Sequence, residues 1–181
     1  MDGDLIELLI RLERISPMPD DDSPELTPDL LREYEEAIRQ IDQKMMSREV
    51  RDPALLAPLL ASFGYGDGFG LYWATLHLLE KYPLDVLRPA LREVVLHGKQ
   101  GTRRWAAYML GRIRDRDDVS ILVKALLDSA EEVRYYALMA LMMIGDPSAL
   151  PAMEMLLHDP VLRVRKAAER YVAELWPSVP D

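Results

Sequence analysis

Residues 133–168 read VRYYALMALMMIGDPSALPAMEMLLHDPVLRVRKAA, and parts of this stretch recur in the chain at a constant step of 31 residues. The opening VRYYA of residues 133–137 is echoed by TRRWA at residues 102–106 and by VRKAA at residues 164–168. The same step relates Leu110 to Leu141 and Asp128 to Asp159. A fixed period of this length is typical of stacked copies of one supersecondary unit, and such stacks usually act through an extended surface.

The composition indicates a folded, soluble protein. The chain has 181 residues, of which 49% are hydrophobic, enough for a substantial core. It has no cysteine, which excludes disulfides, thiolate metal sites and cysteine nucleophiles. The N-terminal segment MDGDLIELLIRLER is acidic, unlike a signal peptide, and no apolar run reaches the ~20 residues of a membrane helix. We therefore expect a cytoplasmic protein without membrane association.

The negative charge is concentrated in the first part of the chain. Residues 1–70 hold 16 Asp/Glu and 7 Lys/Arg, a net charge of −9, whereas residues 71–181 hold 15 of each and are neutral. Nucleic-acid binding requires clustered cations, which this distribution does not provide. The charge favours a cationic protein partner instead.

The chain divides into an N-terminal part and a repeat region. Apolar residues on nearly every turn predict a helix over residues 4–15, and Thr27 followed by Pro28 predicts the start of a second helix that continues to about Val50. Between them, residues 16–28 form an acidic, proline-rich loop that we expect to be mobile. Residues 1–51 are thus a predicted helical cap, and residues 52–181 a predicted solenoid.

The 31-residue step divides the solenoid into four helix pairs, each with an outer and an inner helix. The predicted pairs are residues 53–63 with 70–82, 84–97 with 100–113, 117–128 with 131–144, and 147–158 with 161–175. No stretch alternates apolar and polar residues over the length of a β-strand, so we expect no sheet.

The repeat resembles the HEAT-repeat family, and specifically its short bacterial subclass named after phycobilisome lyases. The family pattern is roughly V-R-x-x-A-x-x-A-L-G-x-I-G-D-P-x-A-x-x-x-L-x-x-L-L-x-D. The matching residues here are Val133, Arg134, Ala137, Ala140, Leu141, Ile144, Gly145, Asp146, Pro147, Ala149, Leu156, Leu157 and Asp159. The match is strong over residues 100–175 and weaker over residues 52–99. The resemblance implies an all-α fold, a right-handed solenoid of about four HEAT-like helix pairs with an N-terminal helical cap.

Two sets of repeated residues have predicted structural roles. Small side chains should let neighbouring inner helices approach closely, at Ala106, Ala137 and Ala168. The recurrent arginines should bond to turn aspartates and adjacent carbonyls and so form a ladder; these are Arg103, Arg134 and Arg165, with Asp128 and Asp159.

The resemblance also implies that the inner helices line a concave face. The candidate partner-binding positions follow the recurrent arginine, and they are Trp73, His77, Arg104, Trp105, Tyr108, Arg112, Tyr135, Tyr136, Met139, Met143, Lys166 and Arg170. Aromatic and methionine side chains beside arginines are typical of interface hot spots. The alternative is that these side chains are buried against neighbouring repeats or the N-terminal helices, since methionines at helical spacing are often core filler.

The glycine-rich residues 63–70, FGYGDGFG, do not form a phosphate-binding loop, because they follow a helix and no Lys-Ser/Thr comes after them. We expect a turn that uses positive φ angles. A role in partner binding stays open.

No catalytic or metal site is predicted. His77, His97 and His158 occupy three different repeat positions and form no ligand-spaced set. The triplet at residues 20–22 lacks the glycine and distal glutamate of a calcium loop, and no serine lies in a nucleophile elbow. The sequence therefore predicts a protein that is not an enzyme and has no catalytic residue, metal or cofactor.

These observations favour a non-catalytic module that holds a protein partner on its concave face. The sharper hypothesis is an immunity-type inhibitor of a bacterial toxin, with a basic toxin domain as partner. A general scaffold or assembly factor, a subunit of a bilin-lyase-like enzyme and a HEAT-type DNA-binding or repair protein stay open as alternatives. The sequence does not fix the oligomeric state.

Overall fold

The structure, a computed structural model, describes residues 3–48, 53–66 and 68–175. Over these residues every regular element is helical, which confirms the predicted all-α class. The chain forms two compact units, Met1–Ala90 and Leu91–Asp181. The division falls inside one long helix, between Ala90 and Leu91.

The first unit contains α1 (Gly3–Arg14), α2 (Pro28–Arg48), α3 (Leu56–Ala61), α4 (Tyr72–Leu79) and the beginning of α5 (Leu84–His97). Short 3₁₀ turns cover Pro53–Leu55 and Gly68–Gly70. The predicted cap of α2 is present, since the Leu30 amide donates to Thr27 Oγ1 at 3.2 Å. The predicted end of this helix at Val50 and the predicted boundary at residues 51–52 lie outside the described residues.

The core of the first unit is built around three aromatic rings. Tyr72 contacts Tyr34 and Phe63 edge-to-face, with ring centroids 5.8 and 5.3 Å apart. The fully buried Tyr34 hydroxyl lies 3.1 Å from Ser62 Oγ and 2.5 Å from Thr75 Oγ1. Burial raises the pKa of Tyr34 to about 12 against the opposing effect of these two bonds, so the phenol stays protonated.

The loop of residues 16–28 packs on the glycine-rich segment. Met18 is 2% exposed, and its amide donates to the Ser62 carbonyl at 3.2 Å. The Gly68 amide donates to Asp21 Oδ1 at 3.1 Å, and a Cβ at Gly66 would lie only 2.0 Å from Asp21 Cγ. The expectation of a free, mobile loop is therefore wrong at these points, because backbone bonds and missing side chains let the two segments close on each other.

The second unit continues from α5 through α6 (Gln100–Ile113), α7 (Val119–Ala125), α8 (Glu131–Ile144), α9 (Leu150–Glu154) and α10 (Leu162–Leu175). Further 3₁₀ turns cover Arg116–Asp118, Pro147–Ala149 and Met155–His158. The predicted bounds of α5, α6 and α8 agree with the structure at both ends. The last two predicted outer helices are each part α-helix and part 3₁₀-helix.

The joints between inner and outer helices repeat with the sequence. Asp115 Oδ1 accepts the Asp117 amide at 2.9 Å, and Asp146 Oδ1 accepts the Ser148 amide at the same distance. The residue before each aspartate ends a helix in the left-handed conformation, with φ of 59° at Arg114 and 68° at Gly145. Glycine suits this position, whereas arginine is strained there.

The inner helices α6 and α8 approach closely through small residues. The side chains predicted for this role are fully buried, at Ala106, Ala137 and Ala168. A Cβ placed on Gly111 would lie 2.6 Å from Ala140 Cα. The backbones are therefore too close for a larger residue at this crossing.

The arginine ladder is present as predicted. Arg103 donates from Nε and Nη2 to the two Asp128 oxygens, both at 2.8 Å, and Arg134 donates in the same way to Asp159 at 2.7 and 2.9 Å. Arg165 donates from Nη1 to the backbone carbonyls of Asp159 and Pro160, at 2.6 and 3.0 Å. Planar guanidinium–carboxylate pairs of this kind fix the register of successive repeats.

Candidate functional site

The second unit contains an aromatic cluster of four side chains from α6 and α8, Trp105, Tyr108, Tyr135 and Tyr136. Tyr136 lies at its centre, with ring centroids 6.3 Å from Trp105, 6.0 Å from Tyr108 and 5.5 Å from Tyr135. The 31-residue period brings these positions together, because Trp105 and Tyr136 occupy the same position on neighbouring inner helices. The structure thus brings four of the predicted site residues together.

Two arginines share one carboxylate beside this cluster, which offsets one of their two positive charges. The Arg104 guanidinium lies 4.9 Å from the Trp105 ring centroid and 5.2 Å from that of Tyr136. Its Nη1 is 3.7 Å from Glu132, which also accepts from Arg163 Nη1 at 2.6 Å. Glu132 therefore holds two guanidinium groups against aromatic faces and fixes the geometry of the cluster.

Tyr136 has a perturbed pKa. Burial raises the pKa of its phenol, the nearby Arg104 guanidinium acts in the opposite direction, and the Glu132 carboxylate adds to the rise. Tyr136 is therefore protonated at neutral pH and suits hydrogen bonding better than proton abstraction.

The exposure of the predicted site residues differs along the helices. Trp105 and Arg104 are buried, at 3% and 6% exposure, so for these two the alternative of packing between repeats is what the structure shows. The half-buried members are Tyr108, Tyr135, Tyr136, Met139 and Met143. The exposed members in this unit are Arg112, Lys166 and Arg170. A partner-binding role for the whole set stays a prediction.

The two remaining predicted residues, Trp73 and His77, lie on α4 in the first unit. Trp73 is 43% exposed, and His77 is exposed beside it. His77 Nδ1 lies 2.6 Å from the Trp73 carbonyl, which can only accept, so Nδ1 carries the proton and Nε2 is left as an acceptor.

Phe69, four residues before Trp73 in the chain, is a further exposed aromatic residue that was not among the predicted site residues. It is 66% exposed and has a left-handed φ of 51°, between Gly68 at 60° and Gly70 at 86°. A phenylalanine in this conformation is strained and gains little from burial here, and such outliers are often functional. The sequence feature that could have identified Phe69 is a large aromatic residue between two glycines. We refer to the exposed residues Trp73 and His77 on α4, together with Phe69 of the preceding 3₁₀ turn, as the α4 aromatic face.

Carboxylates adjoin this face. Asp21 bonds to the Gly68 amide, and its chain neighbours Asp20 and Asp22 are exposed. Aromatic rings attract cations over their faces, and carboxylates provide the matching charge. This combination suits an amine better than an anion.

The histidines do not assemble a metal site in the part of the chain that the structure describes. His97 Nε2 lies 3.9 Å from Glu93, and both side chains are exposed. No group of three or more His, Asp or Glu residues within residues 3–48, 53–66 and 68–175 is arranged to hold a metal ion. Among the same residues, no helix is long and apolar enough to cross a membrane.

Comparison with known proteins identifies the class of protein. Residues 84–173 match the family model of HEAT repeats, so the chain is a HEAT-repeat protein with an α-solenoid fold. The chain is similar to deoxyhypusine hydroxylase of Drosophila melanogaster, with 42% identity over 60 residues, which are 32% of this chain and 20% of that protein. The structure of human deoxyhypusine hydroxylase in complex with glycerol aligns with a TM-score of 0.56 and 21% identity, over 94% of this chain and 62% of that one. The chain thus spans about a fifth of the curated relative it matches, and the structural likeness shows the fold alone.

These relatives correct the functional prediction. The expected non-catalytic protein-binding module, and with it the immunity-type inhibitor, is wrong, as is the expectation that the chain is not an enzyme, because the curated relative that is 42% identical over 60 residues is an enzyme by name. The physical reason is that a HEAT stack supports many functions, and its reacting groups need not form a compact motif in sequence. The absence of a recognisable catalytic motif was therefore weak evidence against catalysis.

Proposed function

We propose that this chain is a HEAT-repeat enzyme related to deoxyhypusine hydroxylase, which acts on an amine-bearing, lysine-derived side chain. The identity of 42% over 60 residues carries this proposal. Membership of the short bacterial HEAT subclass and a cytoplasmic location are further parts of it. The subclass is supported by the motif around Arg134.

The α4 aromatic face is the proposed contact for the substrate amine. Exposed cation–aromatic contacts stabilise by about 0.5–1 kcal/mol each, and Phe69 and Trp73 each present a ring to solvent. The excess of acidic residues in residues 1–70 adds a long-range attraction for a cationic side chain. His77 Nε2 can accept a hydrogen bond from an ammonium group.

Hydroxylation also requires a group that activates oxygen, commonly iron held by histidine and carboxylate ligands. The described residues do not fit such a group, since His77, His97 and His158 are exposed and belong to no suitable donor cluster among them. The proposal therefore assigns only substrate binding to these residues and derives no oxidation step from them.

The test is to measure binding of a deoxyhypusine-containing peptide to the full chain and, with ferrous iron, oxygen and a two-electron reductant added, to follow the gain of one oxygen atom by mass spectrometry. A peptide with ordinary lysine at the same position is the matched substrate control. We expect the deoxyhypusine peptide to bind more tightly than the lysine peptide, since only substrate binding is assigned to the described residues. Equal binding of both peptides would refute the substrate class, and gain of oxygen by neither peptide would refute the hydroxylase assignment.

The proposed contact has its own test. Trp73→Ala should weaken binding of the deoxyhypusine peptide by about two- to fivefold, which corresponds to one exposed cation–aromatic contact. Leu127→Ala, at a 72% exposed apolar position in the second unit, is the control and should leave binding unchanged.

A further inference from the structure

One side chain from a distant loop holds the glycine turn before α4. The Gly68 amide donates to Asp21 Oδ1 at 3.1 Å, across 47 residues of sequence. The same carboxylate lies against Gly66, where an added Cβ would be 2.1 and 2.2 Å from its two oxygens. The space that Asp21 occupies is therefore available only because position 66 has no side chain.

The turn needs such a contact, because its own conformation is strained. Three successive residues, Gly68, Phe69 and Gly70, have left-handed φ angles of 60°, 51° and 86°. Glycine adopts this conformation without cost, whereas Phe69 persists in it only where the surroundings impose it. Phe69 is 66% exposed, so burial of its own ring does not supply that constraint. The contacts that do are those to the adjoining Gly68, from the Asp21 carboxylate and from the Tyr72 ring, which would lie 3.0 Å from a Cβ at that position.

The loop that carries Asp21 is itself anchored. Met18 is 2% exposed, and its amide donates to the Ser62 carbonyl at 3.2 Å. The Ser23 amide donates to the Asp20 carbonyl at 2.8 Å and closes a turn that contains Asp21. The Asp21 side chain is half-buried. A carboxylate held in this way loses little conformational freedom when it accepts a hydrogen bond, so the bond is preorganised.

We propose that Asp21 is a positioning residue of the α4 aromatic face, which acts through Phe69. Its hydrogen bond to Gly68 fixes the strained turn, and with it the direction in which the Phe69 ring meets the ammonium group of the substrate. Asp20 and Asp22 carry the same charge on exposed side chains, so the bond to the turn, and not the charge, distinguishes Asp21. This inference rests on the proposed function and assigns a residue whose side chain need not touch the substrate.

The test is a binding measurement with the deoxyhypusine peptide and the lysine peptide at about 0.15 M salt, where exposed charges are screened beyond about 8 Å. Asp21→Ala should weaken binding of the deoxyhypusine peptide by about two- to fivefold, as one exposed cation–aromatic contact would, and Phe69→Ala should weaken it by the same factor. The double variant should lose no more than either single variant, because one residue acts through the other. Asp21→Asn should retain most of the binding, because its amide oxygen can still accept from Gly68.

Two further variants provide a check and a control. Gly66→Ala should match Asp21→Ala, because the new Cβ would displace the Asp21 carboxylate without removing its charge. Asp22→Ala removes an equal charge from an exposed neighbour and should leave binding unchanged. Circular dichroism of each variant establishes that it is folded.

The outcomes separate this inference from the proposed function. If the wild-type protein binds both peptides equally, the substrate class is wrong and the positioning role falls with it. If the wild-type protein prefers the deoxyhypusine peptide and Asp21→Ala keeps the full preference, only the positioning role is refuted. Asp21→Asn binding as weakly as Asp21→Ala would assign the effect to charge and overturn the inference. So would a double variant whose loss is the product of the two single losses, because Asp21 would then act independently of Phe69.

Discussion

Replacing Arg134 with methionine tests whether the ladder is a main source of stability in the second unit. Arg134 and Asp159 are 9% and 5% exposed, and two hydrogen bonds of 2.7 and 2.9 Å join them. Arg134→Met keeps the aliphatic volume but leaves the Asp159 carboxylate with the Val161 amide as its remaining bond. Stranding one member of a buried ion pair costs about 3–5 kcal/mol, a large part of the 5–15 kcal/mol of a typical domain.

The loss should depend on pH in a defined direction. Burial by itself would raise the pKa of Asp159, but the bonds from Arg134 and Val161 outweigh it, and the pKa is lowered. The wild-type protein therefore gains stability as pH rises through the unfolded value of about 3.9, and loses it as pH falls through the folded value. Without the guanidinium, burial should dominate, raise the pKa and make ionisation destabilising.

The assay is urea unfolding followed by circular dichroism at pH 3 and pH 7 for the wild-type protein, Arg134→Met and Arg165→Met. Arg165 has backbone contacts but no carboxylate bond among the described residues, so its substitution should cost only about 1 kcal/mol. The difference between Arg134→Met and the wild type should grow from pH 3 to pH 7. Equal losses in the two variants, or a loss that does not change with pH, would refute the reasoning.

Four further substitutions test local packing and backbone geometry, each by urea unfolding. Gly111→Ala should destabilise by about 1–3 kcal/mol, because the new methyl group would lie 2.6 Å from Ala140 Cα; an unchanged midpoint would mean that the two helices separate freely. Arg114→Gly should stabilise by up to about 1 kcal/mol and Gly145→Ala should destabilise by about 1 kcal/mol, because both positions have a left-handed φ; changes of the opposite sign would contradict this. Tyr34→Phe should destabilise by about 1–3 kcal/mol by leaving two buried hydroxyl groups short of a partner, and a neutral result would show that they bond to each other.

The repeated parts of the fold were predictable, because the residues that define one helix pair occur again in the next pairs. The bounds of α6 and α8 and the pairing of Arg103 with Asp128 follow from the 31-residue step, since one helix pair is a template for the next. The 3₁₀ turns were not predicted. Their i→i+3 bonds involve the same residue types as an α-helix and leave no separate sequence pattern.

The candidate site was less predictable, because exposure depends on neighbouring helices and not on periodicity. Trp105 follows the recurrent arginine as a surface residue would, yet Arg104 and Tyr136 cover it from two sides. Phe69 was overlooked for the opposite reason, since a phenylalanine between glycines in a turn reads as a packing anchor. In both cases the side-chain type was informative, and the surroundings that decide its role come from tertiary structure.

The contrast between repeated and non-repeated residues also explains why the function was predicted wrongly and the fold correctly. The residues that identify a HEAT repeat are those that pack helices and cap turns, such as Ala137 and Asp146, and they are used in the same way whatever the stack does. Functional positions are the ones that the repeat leaves free to vary, so periodicity carries no information about them. For this chain, the informative positions are therefore those that depart from the repeat: Phe69 in a left-handed turn, and Leu162 where the preceding repeats carry polar residues. Both departures expose apolar side chains at a cost in solvation, and that cost is the physical reason to place the substrate contact at Phe69.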